Sequence, residues 1–534
     1  MKRKRGGKRG GRGRGSSIKE DEIRKCEGSS IDEDASRKCE GLSIQEDEIS
    51  EEFSIDENDR ISKLPDELIH HILSFMDMIF AVKTCVCSKK WNYMVTSLPT
   101  LKLDYSLQKY GHEYDEFNIE LVSKALESRN KYIQRLHINL PYEYERPIHS
   151  WIQAALEANV EDICISHTSE KIQIPDGTFS SDSLKKLTLV IPRIPIDLSK
   201  SSDLPSLVYL KLDYIPSADG EEINKLVASC PVIEYLDLML RNPITYHGGI
   251  KIRSPTLKHL KIRKHEGRTS LSLYAPKLVS LFFESATNNV YLEDVSSLVN
   301  ATIATKEDRH HGVSHYGASS LSNATMVAKE DGGDDMSTDL TPQRTSLEVL
   351  RNVQCLTISV PLLQDIPGLP EFLEHKDHVP EQFDNLRDLK LLQVDFSWST
   401  SVFMIATFLS MSPNIESLIL ELARYRDWES ASNQDELLMI ELETLSVMFT
   451  LNKLKMVKVS NFQGSAIEMK LLKILLTKAD VLEKFRIHCK PVERLSDASV
   501  RGNIFDDLTD LRKKLDLPSV AIFLDVQEAR RDFA

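Results

Sequence analysis

Residues 207–213 read LVYLKLD, an apolar residue, two variable positions, a second apolar residue, one variable position and a third apolar residue. Leu210 and Leu212 alternate with Tyr209 and Lys211, and a period of two is the signature of a strand with one buried face. The same spacing stands at Ile133-Leu136-Ile138, Val160-Ile163-Ile165, Leu184-Leu187-Leu189, Ile233-Leu236-Leu238, Leu257-Leu260-Ile262 and Leu278-Leu281-Phe283. Starts fall roughly 20 to 27 residues apart, a period typical of stacked repeats. Later copies are Val353-Leu356-Ile358, Leu386-Leu389-Leu391, Ile415-Leu418-Leu420, Leu454-Val457-Val459 and Leu482-Phe485-Ile487, at wider and less regular spacing.

A single unit of this kind cannot cover its own apolar face, so neighbours stack and share a continuous core. Each strand is followed by a helical or irregular return, such as Gly220 to Ser229, Val402 to Ser410 and Ile467 to Lys478. Cys230-Pro231, Ser412-Pro413 and Ala479-Asp480 end these returns before the next strand begins. The pattern predicts an α/β horseshoe solenoid of leucine-rich repeats. A doubly wound sheet would want longer central apolar strands and a glycine-rich phosphate turn, and neither stands in the sequence.

In such a solenoid the residues flanking the inward pair project from the concave sheet face. They include Arg135, His137, Lys186 and Thr188, then Tyr209, Lys211, Tyr235, Asp237, His259, Lys261 and Phe282. The last seven are the candidate target-binding set, because aromatic and cationic anchors dominate protein contacts. The run Lys258, His259, Lys261, Arg263, Lys264 and His265 is a candidate for an acidic peptide or a polyphosphate, and equally a solvated charged face.

Ahead of the repeats, residues 64–91 read LPDELIHHILSFMDMIFAVKTCVCSKKW. Pro65 suits a helix entry, and Asp66 and Glu67 place negative charge at the positive end of the dipole. Leu68, Ile69, Ile72, Leu73 and Met76 form a wide apolar stripe. Ile79, Ala81, Val82, Cys85 and Val86 predict a second helix, and Ser88 a cap for a third holding Trp91, Met94 and Val95. About forty residues cannot bury so much apolar surface internally, so the excess must face a partner.

This segment resembles an F-box. The resemblance implies docking to a Skp-type adaptor, and through it to a cullin scaffold, with Leu64, Pro65, Leu68, Ile72, Leu73, Val82, Val86 and Trp91 at adaptor-binding and core positions. One departure is the link Met76-Asp77-Met78-Ile79, where many members carry a leucine-proline pair and a more polar run. With the repeats, and with residues 454–485 similar to an FBD module, the arrangement resembles the plant F-box, leucine-rich-repeat and FBD family. That resemblance implies a substrate-recognition subunit of an SCF-type ubiquitin ligase, a non-catalytic protein that contributes proximity. Read physically, the FBD-like segment is strand, turn, amphipathic helix and strand, suited to sealing the end of a solenoid.

The chain has 534 residues, 41% of them hydrophobic, 28% charged, and a net charge of -14, which suits a multidomain globular protein. The first residues, MKRKRGGKRGGRGRG, are basic and lack the apolar core of a secretory signal. They predict nuclear localisation or a weak RNA contact by residues 1–15, and the alternative function is a nuclear binding module without a ligase role. An acidic stretch follows in which RKCEGSSIDED (24–34) returns as RKCEGLSIQED (37–47), with Ser17, Ser30, Ser43 and Ser54 each three residues before a glutamate. Its composition predicts a solvated linker, with acid-directed phosphorylation or helix capping as alternatives.

Eight scattered cysteines fit reduced thiols in the nucleus or cytoplasm, and no apolar run approaches a membrane span. No phosphate loop, paired-histidine zinc motif, nucleophile elbow or clustered CxxC is present, so neither catalytic residues, cofactor nor metal is expected. His310, His311 and His315 fall in a Gly, Ser and Asp-rich insertion and read as solvated. The predicted organisation is a disordered basic then acidic arm (1–58), a three-helix F-box (59–104), a solenoid (105–450) with a flexible insertion (304–346), an FBD-like module (451–490) and a C-terminal tail (491–534).

Overall fold

A computed structural model of the chain describes residues 63–86, 89–104, 116–127, 133–140, 146–167, 172–191, 203–215, 220–240, 249–264, 269–285, 288–305, 350–363, 382–396, 399–423, 434–489, 498–514 and 521–526. The N-terminal arm and the 304–346 insertion, beyond Thr305, lie outside them.

Strands form wherever the two-residue alternation runs. The first group is β1 (Thr100–Asp104), β2 (Arg135–Leu140), β3 (Asp162–His167), β4 (Lys186–Val190), β5 (Tyr209–Ile215) and β6 (Tyr235–Leu240). Next come β7 (Ile250–Arg253), β8 (His259–Lys264), β9 (Thr269–Tyr274), β10 (Ser280–Ser285), β11 (Asn288–Asp294) and β12 (Asn300–Thr305). The last are β13 (Cys355–Ser359), β14 (Asp388–Val394), β15 (Ser417–Leu422), β16 (Met456–Phe462), β17 (Lys484–Cys489) and β18 (Ala521–Val526). Fifteen of them make one open sheet in chain order, omitting β7, β9 and β11, and every pairing is parallel.

The joint between units is chemically the same throughout. Amides of Val208 and Tyr209 converge on the Lys185 carbonyl, those of Glu234 and Tyr235 on Val208, and those of Lys258 and His259 on Glu234, at 2.8–3.1 Å. The same handshake joins Gln134 and Arg135 to Pro99 at one end, and Glu483 and Lys484 to Lys455 towards the other. Beneath it, the second and third apolar residues of each unit from Leu136 to Phe283 are no more than 1% exposed. Full burial of such a side chain contributes roughly 1.5–3 kcal/mol, and here the cover comes from adjacent units.

Three strands belong to units that the apolar pattern passes over. Leu98-Leu101-Leu103 directly follows the helical segment, so β1 joins the sheet from within the range assigned to the F-box. Leu298-Ala301-Ile303 carries only a methyl at its middle position. The third is β18, where Ser519 stands three residues before Ile522. Residues 491–534, expected as a tail, thus supply a helix (Ala498–Lys514) and β18, and the sheet extends one strand past the FBD-like module.

Helical returns appear as read at Gly220–Ala228, Ser399–Met411 and Ala466–Lys478. Between β6 and β12 the returns are strands instead, and β11, β9 and β7 form a second parallel sheet. The physical reason is the same alternation: Ile250 and Ile252, Leu271 and Leu273, and Val290 and Leu292 are buried while the residues between them face out. The FBD-like segment is strand, turn, helix and strand as expected. Gly464 takes a positive φ of 78° in its turn, and Ser465 with Glu468 closes a capping box on the helix.

The segment before β1 folds as α1 (Asp66–Ser74), α2 (Met78–Lys83), a one-turn 3-10 helix (Thr84–Val86) and α3 (Lys89–Thr96). The Lys90 ammonium ties α3 to the start of α1, donating to the Leu64 carbonyl at 2.7 Å and lying 3.1 Å from Asp66. The departure at Met76 to Ile79 is where this unit meets the sheet. Asp77 caps α2 by accepting the Ile79 amide at 2.9 Å, and its second oxygen accepts the Asp104 amide at the end of β1 at 2.7 Å.

Candidate functional site

The wide stripe on α1 divides in two. Ile69 and Leu73 point inward into the buried core that also holds Met78, Ile79, Val82, Trp91, Met94 and Val95. Leu68 and Ile72, one helical turn apart, stay outside at 48% and 42% exposed, and Phe75 extends the row at 74%. Tyr93 on α3 is also exposed. Of the eight residues singled out in the sequence, Pro65, Leu68 and Ile72 are therefore surface groups, Leu64 packs partly buried against the core, and Leu73, Val82 and Trp91 are the core itself. Val86 lies in the 3-10 turn. Phe75 was missed, although its place three residues after Ile72 continues the outer row. Exposed leucine, isoleucine and phenylalanine in one row make this the candidate docking surface.

The second candidate surface is the sheet face opposite the helices. Pairing registers place Tyr209, Tyr235, His259 and Ser280 in one line across four strands, and Lys211, Asp237, Lys261 and Phe282 in the next. The seven candidate residues therefore come together. Rings of Tyr209 and Tyr235 stack with centroids 4.4 Å apart and planes 9° from parallel, and His259 follows at 5.9 Å. The Lys186 ammonium lies 4.9 Å over the Tyr209 ring, and that of Lys261 lies 5.3 Å over Phe282. Burial, and then the neighbouring Tyr235, push the Tyr209 phenol up to about 12.

Asp237 is an exception within this set. It is 4% exposed and lies beneath Arg263, whose Nη2 donates to it at 3.1 Å and to Asp213 at 3.2 Å. Its role is to hold Arg263 rather than to present a carboxylate. The basic run from Lys258 is likewise dispersed. Lys258 pairs with Glu234 at 2.8 Å, Arg263 is neutralised as described, and Lys264 is buried, which lowers its pKa. Only His259 and Lys261 remain on the open face, and His265 lies outside the described residues, so the run does not form a polyphosphate cradle.

Upstream in the middle line stand His137, Cys164 and Thr188. Burial lowers the imidazole of His137 and raises the thiol of Cys164, the reverse of an activated thiolate and imidazolium pair. Among the described residues no group of three or more His, Cys, Asp or Glu could hold a metal ion, and no helix is long and apolar enough to cross a membrane.

A repeated-strand solenoid with a three-helix docking unit at one end defines the class. A family model for the F-box domain matches residues 61–103, and one described as FBD-associated F-box protein At5g56370, LRR repeats, matches residues 148–374. Among relatives from Arabidopsis thaliana, putative F-box protein At1g49610 is 28% identical over 47% of this chain and 62% of its own length. Putative F-box protein At3g58960 is 25% identical over 84% of this chain and 96% of its own. FBD-associated F-box protein At5g38590 is 29% identical over 47% and 67%. The chain carries an F-box domain followed by FBD-associated leucine-rich repeats, and its Arabidopsis relatives are F-box, F-box/LRR-repeat and FBD-associated proteins. F-box proteins in general serve as SCF substrate receptors that bind a Skp-type adaptor, and members with leucine-rich repeats are typically non-catalytic. Residues 451–490, read as FBD-like, lie outside both matched ranges.

Proposed function

We propose that this chain is a substrate receptor whose outer α1 row docks a Skp-type adaptor and whose open sheet face holds a target protein for ubiquitin transfer. The observation that carries the reading is the exposed row Leu68, Ile72 and Phe75 on a helix whose inward stripe, Ile69 and Leu73, is buried. A folded unit gains nothing from three large apolar side chains in water, and an apolar groove on a partner removes that penalty. The protein's chemical contribution is proximity: a target held on the same body as the ligase presents its lysines at high effective concentration. The nuclear reading of the basic arm, with its RNA alternative, falls on residues 1–15 and remains a proposal about a segment outside the described residues.

The test is capture of a purified Skp-type adaptor by the full chain. Scaling roughly 2 kcal/mol of burial per side chain by the exposed fractions gives roughly 3 kcal/mol for the row. The triple change Leu68→Ala, Ile72→Ala and Phe75→Ala is thus expected to weaken capture by roughly two powers of ten. Undiminished capture by that variant, or none by the natural chain, sinks the adaptor-docking reading.

A further inference from the structure

At the C-terminal end of the open face, three cations have no counter-charge among the residues whose side chains are described. Lys458 and Arg486 are directly opposed in the β16–β17 register, and Lys484 shares their face two residues before Arg486. No carboxylate whose side chain is described pairs with any of them; Asp525, on the same face opposite His488, is described in its backbone alone. Elsewhere on the same face most cations are answered, Arg135 excepted: Lys102 by Asp104, Lys211 by Asp213, Arg263 by Asp213 and Asp237, and Lys390 by Glu421. Lys186 and Lys261, like Arg486 of the cluster, lie over rings. Like charges directly opposed on neighbouring strands destabilise a sheet, so in a chain of net charge -14 this cluster works against the fold unless something anionic covers it.

The surroundings say what kind of anion fits. The middle line here reads Lys390, Ile419, Lys458, Arg486 and Phe523 in register. Phe523 is 44% exposed, with the Arg486 guanidinium 5.3 Å from its ring centre. Apolar side chains therefore interleave with the charges. In addition, β18 is the last strand of the sheet, and no described strand pairs with its outer edge. A strand edge offers a row of backbone donors and acceptors to an extended chain. A single-stranded nucleic acid would ask for successive ring platforms, and among the described residues of β16 to β18 only Phe523 offers an exposed one on this face.

We propose that Lys458, Lys484 and Arg486, with Ile419 and Phe523, dock an extended acidic peptide segment of a partner protein. This rests on the target-holding half of the proposed function and gives it a substrate chemistry. The site lies some two hundred residues beyond the basic run where the sequence suggested an acidic ligand.

Fluorescence anisotropy of the full chain with a labelled, end-capped peptide of alternating glutamate and leucine tests it, with a glutamine-for-glutamate peptide as control. The glutamate peptide is expected to bind, to weaken as salt is raised, and to lose about tenfold in affinity to the double variant Lys458→Gln, Arg486→Gln. Thermal midpoints are read alongside, because relief of like-charge repulsion predicts an unchanged or higher value for that variant. Equal binding of the control peptide, equal binding by the variant, or a lowered midpoint overturns the inference. So does tighter, variant-sensitive binding of a single-stranded RNA oligonucleotide. Binding that appears only after Glu46, Asp47, Glu48, Glu51 and Glu52 are made Gln or Asn also overturns it, since the chain's own arm would then fill the site. Adaptor capture measured on the same samples separates this failure from failure of the receptor reading.

Discussion

Replacing Asp77 by alanine tests how the docking unit is joined to the solenoid. The carboxylate is 6% exposed and accepts from the Ile79 amide at the start of α2 and from the Asp104 amide at the end of β1. Loss of an N-cap costs about 1 kcal/mol. A buried amide left without an acceptor costs about 1–3 kcal/mol, and the bond lost here is charge-assisted. Asp77→Ala is therefore expected to destabilise the docking unit by about 2–4 kcal/mol. Asp77→Asn keeps a good cap but offers only one acceptor oxygen, so it should lose about 1–3 kcal/mol, all of it at the β1 contact. Hydrogen exchange reads the two ends separately. In Asp77→Ala both amides should exchange faster, by about one and a half to three powers of ten if local opening governs exchange. In Asp77→Asn the acceleration should concentrate at Asp104. Equal exchange at Asp104 in the natural chain and in Asp77→Ala would falsify the claim that this carboxylate fastens the helices to the sheet.

Leu73→Ala should cost about 2–5 kcal/mol and lower the denaturation midpoint read from Trp91 fluorescence, while Leu68→Ala on the outer row should stay within about 0.5 kcal/mol; equal costs would show that the stripe is not divided. Glu468 is buried, and desolvation raises its pKa against two backbone amides, Gln463 and Ser465, that donate to one of its oxygens at 3.0 Å each. Glu468→Ala should cost about 2–4 kcal/mol in urea titrations and Glu468→Gln distinctly less, because the glutamine oxygen can accept both bonds. Tyr209 carries a folded-state pKa of about 12 against an ordinary 10.0. Between those values the folded chain keeps a proton that the unfolded chain has released, so stability falls as pH rises through that window. Tyr209→Phe should flatten that part of the stability profile, and an identical profile in the variant would refute the assignment.

The strand core was legible because each unit presents two large inward residues at fixed spacing, and the fold needs nothing more than that repetition. Where one of them shrinks, as at Ala301, or where the first apolar position is polar, as at Ser519, the pattern fades although the backbone repeats. The second sheet was hidden for another reason. Short alternating runs such as IKIR at β7 fall between the repeat strands, and only the neighbouring runs at β9 and β11 give them edges to pair with. The candidate surfaces divided similarly. Spacing placed Tyr209, Tyr235 and His259 in one line, but it could not tell an available charge from a neutralised one. Asp237, Lys258 and Arg263 look like recognition groups in the sequence because their partners, Asp213 and Glu234 among them, come from other strands. Lys458 and Arg486 escaped notice because they lie 28 positions apart and are opposed only once the strands pair.

The two surfaces on the open face bear differently on ubiquitin transfer if the receptor reading holds. Nine strand intervals separate β5 from β17, and at about 4.8 Å each the ring stack and the cation cluster lie roughly 40 Å apart along the sheet. Helices α1 to α3 meet β1 through buried packing and the Asp77 bond, with no long linker between Thr96 and Thr100. Distance from adaptor to target is therefore set by which strands the target engages rather than by a flexible tether. A partner held at both places would lie across about two thirds of the strands with little freedom, and its reachable lysines would be few and fixed. A partner held only by the acidic segment at the far end would pivot there, and effective concentration at the ligase would fall with the added reach. Modification confined to one or two lysines when both surfaces are engaged, spreading to several when Tyr209 and Tyr235 are changed to alanine, is the pattern this geometry demands of a target once one is in hand.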